Sequence, residues 1–285
     1  AEISPDLGVV CSPTVFHARH SIALLEHGAH VFCDKPAACD LEEARAMFAA
    51  AEKTGRKLMV FQPRRMVSNS FSIREIVRSG KLGKLYQMKI FIGNYVRRND
   101  WQAFRKNGGG MLRNYGAHYI DQMMYLSGEK LELLSCRTAR IASVGDADDV
   151  VKILLRGTVS GILLDIDINQ AAACAPYVWI LYGLNGAACL PKHGGSWTLR
   201  YFDPKELGPI HCTTEMAADD RKYPGESIPF RTEEYLPPTV PSPAEIYYEN
   251  LYEWIQEKAS PLVSAADTLE LMSLLEQCKE QAERT

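Results

Sequence analysis

No apolar stretch in this 285-residue sequence approaches the ~20 residues that a membrane-spanning helix needs. The longest runs, such as 161–164 and 178–182, stop far short. There is no basic surplus either: 32 Lys+Arg against 35 Asp+Glu leave a formal charge of -3 and a pI near 6.2, which is not the footprint of a nucleic-acid binder. The eight cysteines (Cys11, Cys33, Cys39, Cys136, Cys174, Cys189, Cys212 and Cys278) include no Cys-x-x-Cys pair and no His at zinc-ligand spacing. That pattern speaks against a disulfide scaffold or a metal centre, and the thiols read as reduced, mostly buried small hydrophobes. Residues 1–6 are not a signal peptide, and neither an internal repeat nor a low-complexity segment occurs. What remains is an ordinary globular composition, 46% hydrophobic and 24% charged, sized for one large or two ordinary domains. The expectation is a soluble, cytoplasmic protein with neither nucleic acid nor membrane as partner.

Punctuation by glycine and proline divides the chain. Residues 7–11 (LGVVC) form a short Val-rich run suited to a strand buried on both faces, broken by Ser12-Pro13-Thr14. Helical spacing follows (Phe16, Ile22, Ala23, Leu25) up to Gly28, then a second run at 29–33 closed by Asp34-Lys35-Pro36. Asp40 with Glu43 three residues on predicts a capping box opening a helix over 41–54, stopped by Gly55 before a third strand at 58–61. Strand, helix, strand, helix, strand with short loops is part of a doubly wound parallel sheet of Rossmann type, whose ligands sit at the carboxyl ends of the strands. From residue 64 the pattern changes to a helix at 70–78 and strand-like segments at 85–93, 131–142, 150–155, 161–169, 178–183, 187–191 and 198–202, several joined by compact hairpin turns. This predicts an α+β domain, 64–243, on a mostly antiparallel open sheet with helices on one face, after a dinucleotide-type domain over 1–63. The stretch 203–243, with Pro204, Pro209, Pro224, Pro229, Pro237, Pro238, Pro241 and Pro243, reads as a long irregular excursion. Two helices, about 243–258 and 265–283, make a C-terminal segment (244–285) packing back on the rest.

Between the first two strands of the second sheet lie Gly108-Gly109-Gly110 and a predicted helix over 111–126. On a regular helix Asn114, His118 and Asp121 stand at i, i+4 and i+7 and share a polar stripe, while Leu112, Tyr115, Tyr119 and Met123 share an apolar one. The same pattern also fits a plain solvated face. Lys35, directly after a buried strand and held by Pro36, is the second candidate; partly desolvated, it would bind a substrate oxygen, and otherwise it is a surface lysine before a helix. Arg97, Arg98, Trp101 and Arg105 precede the glycines as a substrate-side lid or an exposed basic loop.

Several segments match one known pattern together: Ser12-Pro13 through His17, similar to a strand-end T/S-P-x-x-x-H stretch, Asp34-Lys35-Pro36, similar to E-K-P, Arg64, and Gly80-Lys81-Leu82-Gly83, similar to G-x-x-G. Residues 108–118, like G-G-G-x-x-x-D-x-G-x-H, and Tyr248-Glu249-Asn250-Leu251 complete it. In order and spacing, over nearly the whole chain, they resemble the glucose-fructose oxidoreductase, inositol dehydrogenase and MocA (Gfo/Idh/MocA) family of nicotinamide-dependent dehydrogenases. The resemblance implies NAD or NADP as cofactor and hydride transfer to or from a secondary alcohol or ketone of a sugar, cyclitol or related polyol. It assigns His118 as proton acceptor, with Lys35 stabilising the reacting oxygen and Asn114 beside them. Ser12, Pro13, His17, Asp34, Lys35 and Pro36 would line the cofactor, and Arg97, Trp101, Arg105, Tyr115 and Asp121 the substrate. Pairing through the open sheet face gives an expected homodimer or homotetramer.

Two departures stand out. Asn114 occupies the place of the family's Asp and cannot raise the basicity of His118 through charge. No G-x-G-x-x-G precedes Leu7, so the phosphate-binding half of the dinucleotide fold, roughly 60 residues for two βαβ units, is expected to lie outside this sequence. Alternative readings are a glycosidase that uses NAD transiently on the same fold and a non-catalytic sugar- or nucleotide-sensing regulator.

Overall fold

The computed structural model describes residues 4–210 and 226–284; Cys212 and Pro224, named above, lie outside the described residues. Strands β1 (Leu7–Val10), β2 (His30–Cys33) and β3 (Leu58–Val60) pair in parallel in that order. The helices α1 (His17–Glu26) and α2 (Leu41–Thr54) form their crossovers. The continuous apolar runs follow from burial on both faces of the pleat. Val31, Cys33, Leu58 and Val60 share a core with Ala44 and Met47 of α2, whereas Phe32 and Met59, pointing the other way, pack on the C-terminal helix that carries Tyr247 and Leu251. Asp40 caps α2, its Oδ1 accepting from Glu43 N at 2.8 Å, but Glu43 reaches back to the Cys39 amide (3.0 Å), one residue beyond a regular capping box. Gly55 ends α2 in the left-handed region, at φ 64°.

A 3-10 turn (Pro63–Met66) leads into α3 (Ser68–Arg78) and β4 (Leu85–Gly93). After the stretch 94–116 come α4 (Ala117–Ser127), β5 (Leu131–Ala139), β6 (Val150–Gly157), β7 (Leu163–Asn169), β8 (Trp179–Gly183), β9 (Gly186–Leu190), β10 (Trp197–Tyr201) and β11 (Arg231–Tyr235). The eight strands lie in the order β11-β10-β9-β8-β4-β7-β6-β5. Only β4 and β7 are parallel, so the sheet is mixed but mostly antiparallel. Strand β11 falls inside the stretch read as irregular. Its sequence RTEEY has no apolar alternation because it is an edge strand with charged faces, and Glu233 pairs with Lys81 across the rim.

Alternate residues of the sheet (Met88, Ile90, Ile153, Leu164, Ile166, Leu181) are buried in one core with α4 and with α6 (Ala265–Glu283). The other face carries Lys89, Lys152, Asp165, Asp167 and Tyr182. Helix α5 (Pro243–Ile255), opened by a complete capping box of Ser242 and Glu245, seals the parallel sheet. Its Tyr247 packs between Phe32 and Phe61 and donates its hydroxyl proton to the Gln62 carbonyl at 2.8 Å. No described helix is long and apolar enough to cross a membrane.

The expected burial of the cysteines holds for Cys33, Cys136 and Cys278; Cys39 and Cys189 are half-buried, and Cys11 and Cys174 are exposed. Cys11 sits at a strand end and Cys174 in a loop, where the chain offers no core to bury them.

Candidate active site

The site is assembled at the carboxyl ends of β1 and β2, where a parallel sheet leaves its loops free to bind ligands. His17 ties the two loops together: Nδ1 lies 2.8 Å from the Pro36 carbonyl and Nε2 2.7 Å from that of Ser12. The ring borders the cavity, yet both nitrogens are spent on this brace, so its contribution is to hold the walls rather than to offer a ligand a hydrogen bond. Asp34 Oδ1 accepts from the Lys35 amide at 2.8 Å, and the Lys35–Pro36 peptide bond is cis.

The opposite wall comes from the glycine triplet. Gly108 and Gly110 adopt φ of 77° and 108°, and a Cβ on Gly109 would collide with the Gln102 carbonyl. The glycines thus let the backbone press against the 3-10 turn Trp101–Ala103, and Gly110 N donates to Gln102 O at 3.1 Å. Asp148 then anchors the following turn, accepting from the Met111 amide on its carbonyl (3.0 Å) and from the Leu112 amide on Oδ2 (2.7 Å).

A regular helix over 111–126 was the sequence expectation. Residues Leu112–Gly116 instead form a π-helical turn before α4 begins, and this wider turn carries Asn114. Lys35 Nζ donates to Asn114 Oδ1 at 2.6 Å and to its main-chain oxygen at 3.0 Å, while Asn114 Nδ2 donates to Gln102 Oε1 at 2.9 Å. The amide oxygen is therefore fixed towards the lysine by a partner, Gln102, that sequence spacing gave no reason to select. A cavity of about 240 Å³ is bordered by Ser12, Pro13, Asp34, Lys35, Trp101 and Asn114, among others.

Electrostatics give this cluster its character. Burial, reinforced by the charges of Arg64 and Arg98 and opposed by Asp34, lowers the Lys35 ammonium to about 8. His118 is held well below the usual imidazole range by burial, then by the positive charges of Lys35 and Arg64. Its Nδ1 is sealed from solvent and has no hydrogen-bond partner among the described residues. The result is a charged lysine beside a neutral imidazole at neutral pH, an acid and a base set apart by their surroundings. Arg64, whose guanidinium lies 5.5 Å over the Tyr119 ring, therefore acts on both groups.

Of the five residues expected on the substrate side, four do not border this cavity. Asp121 does not face the cavity: it is 1% exposed, and both its oxygens bind Arg65, at 2.6 Å from Nη2 and 2.9 Å from Nε. The π turn breaks the i, i+4, i+7 stripe, and the buried Arg65 requires a counterion. Of the basic lid, only Trp101 reaches the cavity. Arg97 is exposed and does not border it, because the loop turns it to solvent. Arg105, its amide pinned by Asp146 Oδ1 at 2.8 Å, lines a separate cavity of about 400 Å³ against α6 that shares only Pro36 and Gly109 with the first. Tyr115 packs on the core with its ring 6.4 Å from that of His118 and does not border the cavity. His193, missed in the sequence, comes from the β9–β10 loop close enough to Arg64 for that charge to lower its pKa further, after burial. No group of three or more potential metal ligands occurs among the described residues.

Residues 1–62 match the profile described as "Oxidoreductase family, NAD-binding Rossmann fold", and residues 72–189 the one described as "GFO/IDH/MocA C-terminal domain". The chain is 36% identical over 132 residues to D-glucoside 3-dehydrogenase of Escherichia coli (strain K12), covering 44% of this chain and 37% of that protein. It thus spans little more than a third of that relative. Over 97% of its length it is 25% identical to the scyllo-inositol 2-dehydrogenase (NADP(+)) IolW of Bacillus subtilis (strain 168), covering 76% of that protein. The crystal structure of an NAD-binding protein from Listeria innocua superposes with a TM-score of 0.82 at 22% identity, over 98% of this chain and 80% of the other, a likeness of fold.

Proposed function

This chain belongs to the Gfo/Idh/MocA oxidoreductase family, and from that premise we propose that it serves an NAD(P)-dependent dehydrogenase acting on a secondary alcohol, or the matching ketone, of a sugar, cyclitol or related polyol. The observation that carries the reading is Lys35 at the end of a parallel sheet, its ammonium held by both oxygens of Asn114 and its charge helping to keep the buried His118 neutral. The site also fits the nicotinamide half of a dinucleotide. The 240 Å³ cavity lies at the strand ends with Lys35 and Asn114 on its wall; His118 does not border it but lies buried behind, its Nδ1 without a partner among the described residues. Ser12, Pro13, Asp34 and Pro36 would shape the wall around the ring, whose chemistry is to accept or return a hydride.

The protein groups do the rest. Lys35, its ammonium aimed by Asn114, donates to the substrate oxygen and stabilises the negative charge that builds on it as C–H breaks. His118, neutral through burial and neighbouring cations, takes the hydroxyl proton in oxidation and returns it in reduction. Gln102 keeps the Asn114 amide from flipping, and His17 keeps the two loops in register. Trp101 shields the cavity mouth from water. Reduction of NAD⁺ or NADP⁺ with a panel of sugars and cyclitols, followed by absorbance, tests the reading. A polyol turned over by the native chain, and about 10²-fold or more slower by His118→Ala, is the expected result. Nicotinamide binding without turnover of any polyol overturns it.

A further inference from the structure

Residues 140–149 join β5 to β6 and lie against the stretch 98–112, which supplies the far wall of the cavity. A row of hydrogen bonds ties the two together. Val144 and Ala147 donate their amides to the carbonyls of Arg98 and Ala103, each at 3.0 Å, and the Arg105 amide donates to Asp146 Oδ1 at 2.8 Å. Asp148 accepts from the Met111 and Leu112 amides. These bonds bracket Gln102 on one side and the π turn that carries Asn114 on the other. Gly145 fits so closely that a Cβ on it would strike the Ala103 carbonyl.

Packing does little to shape 140–149 itself. Ile141 and Val144 are exposed, and Ala147 is its one buried apolar side chain. The buried carboxylate of Asp149 shapes it instead: Oδ1 accepts from the Ile141 amide at 2.7 Å, and Oδ2 from the Ala142 amide at 2.6 Å and from the Ser143 amide. The main chain of Asp149 is fixed by the sheet, its amide donating to the Ala139 carbonyl at 3.0 Å and its carbonyl accepting from the Gln170 amide at 2.9 Å. The side chain therefore folds the loop back onto a rigid point. A loop without a core must offset its lost conformational freedom through hydrogen bonds, and those to a carboxylate are the stronger kind.

Resting on the dehydrogenase reading, we propose that Asp149 is a positioning residue for the reaction at Lys35: through 140–149 it holds the 98–112 wall in place and so sets Gln102 and Asn114, the two amides that aim the lysine. Asp149 does not border the cavity and acts only through this chain of contacts, from Gln102 Oε1 to Asn114 Nδ2 (2.9 Å) and from Asn114 Oδ1 to Lys35 Nζ (2.6 Å). A misplacement of about 1 Å at the reacting groups is enough to lower turnover by an order of magnitude or more.

Asp149→Asn keeps the shape of the side chain but turns an NH2 group towards amide donors, so it frees the loop. With the full chain and the nicotinamide cofactor, kcat is expected to fall about tenfold or more while the KM for the polyol changes much less. Two readouts separate positioning from mere stability. The first is the pH at which Lys35 becomes reactive towards an amine-acylating reagent, followed on its peptide by mass spectrometry, which needs no turnover. Burial holds the ammonium at about 8, helped by the charges of Arg64 and Arg98 and opposed by Asp34. Releasing the wall admits water and displaces Arg98, so this midpoint should rise by about half a unit or more. The second is the double variant with Gln102→Ala, which should lose little more turnover than the worse single variant, because both act through Asn114. Should Asp149→Asn fold poorly, Asp146→Ala removes one bond at the exposed rim and should move the Lys35 midpoint less, in the same direction. A midpoint that stays native in every variant, or losses at Asp149 and Gln102 that multiply, overturns the proposal and leaves the dehydrogenase reading intact. A midpoint that moves in a protein whose native form transfers hydride to no polyol overturns the dehydrogenase reading and leaves Asp149 as the residue that sets Lys35.

Discussion

In the proposed reaction Lys35 and His118 have different duties, each matched to its surroundings. The lysine must be charged to polarise the substrate oxygen, and its pKa of about 8 means that charge is lost as pH rises through 8 rather than through the 10 or so of a free lysine. His118 must be neutral to take a proton, and its depressed pKa keeps it so well below the usual imidazole range. The kcat/KM profile for alcohol oxidation is therefore expected to hold a plateau through neutral pH and to fall with an alkaline limb near pH 8. Asn114→Asp places a carboxylate within hydrogen-bond reach of Lys35 Nζ and should move that limb up by about one unit or more. A limb that stays put in this variant would exclude Lys35 as the group that titrates. Lys35-Pro36 and His118 could be picked from the sequence as candidates because each sits in a short linear motif. Gln102 could not, because its only claim to the site is a contact with Asn114, twelve residues along the chain.

At the scale of elements, the π turn and the glycine triplet set the geometry. Gly109→Ala must push the Gln102 carbonyl away, and with it the side chain that holds Asn114. Turnover should drop by an order of magnitude or so and thermal unfolding should also move down, since Gly109 is buried and the clash is with backbone beside the buried Ala103. The Arg65–Asp121 pair makes a prediction about stability. Without Asp121 the buried Arg65 keeps only Asp267, at 3.2 Å and part-exposed, and the Leu262 carbonyl, so Asp121→Ala is expected to destabilise the fold by about 3 kcal/mol in denaturant titrations. The double variant Arg65→Met, Asp121→Leu should recover much of that loss. A mild effect of Asp121→Ala on stability with a large effect on substrate KM would instead return Asp121 to the substrate side. Strands and helices with apolar periodicity were readable from sequence almost to the residue, as with β4 and α6. The charged edge strand β11 and the π turn were not, because the first buries too little to leave a pattern and the second follows from tertiary anchoring by Asp148.

For the whole molecule, the outer face of the eight-stranded sheet is the feature that asks for a partner. Tyr86 stacks on Tyr182 at 6.1 Å and Phe91 meets Tyr177 edge-on at 6.2 Å, set among the Lys89, Lys152, Asp165 and Asp167 ion pairs. A patch of aromatics and mixed charges suits pairing with a second copy of itself through a two-fold axis. Light scattering of the native chain is expected to give a dimer or a dimer of dimers, and Tyr182→Glu to shift it towards monomer without loss of fold. A native monomer at working concentration would argue against this face as an interface. Helices α5 and α6 also act at this scale: they return from the chain's end to cover the parallel sheet and the functional helix, so truncating them should expose Phe32 and Met59 and cost solubility.

By itself the sequence determined the elements that carry apolar periodicity, their order and the family, because periodicity, caps and short motifs are local and each carries its own physical signature. The tertiary structure decided which partner each polar residue meets. Asp121 and Asn114, seven residues apart, part company because the first meets a buried guanidinium and the second meets Lys35 from another strand's end. Charge, burial and partner at a given atom depend on chain segments distant in sequence, and only folding brings those together.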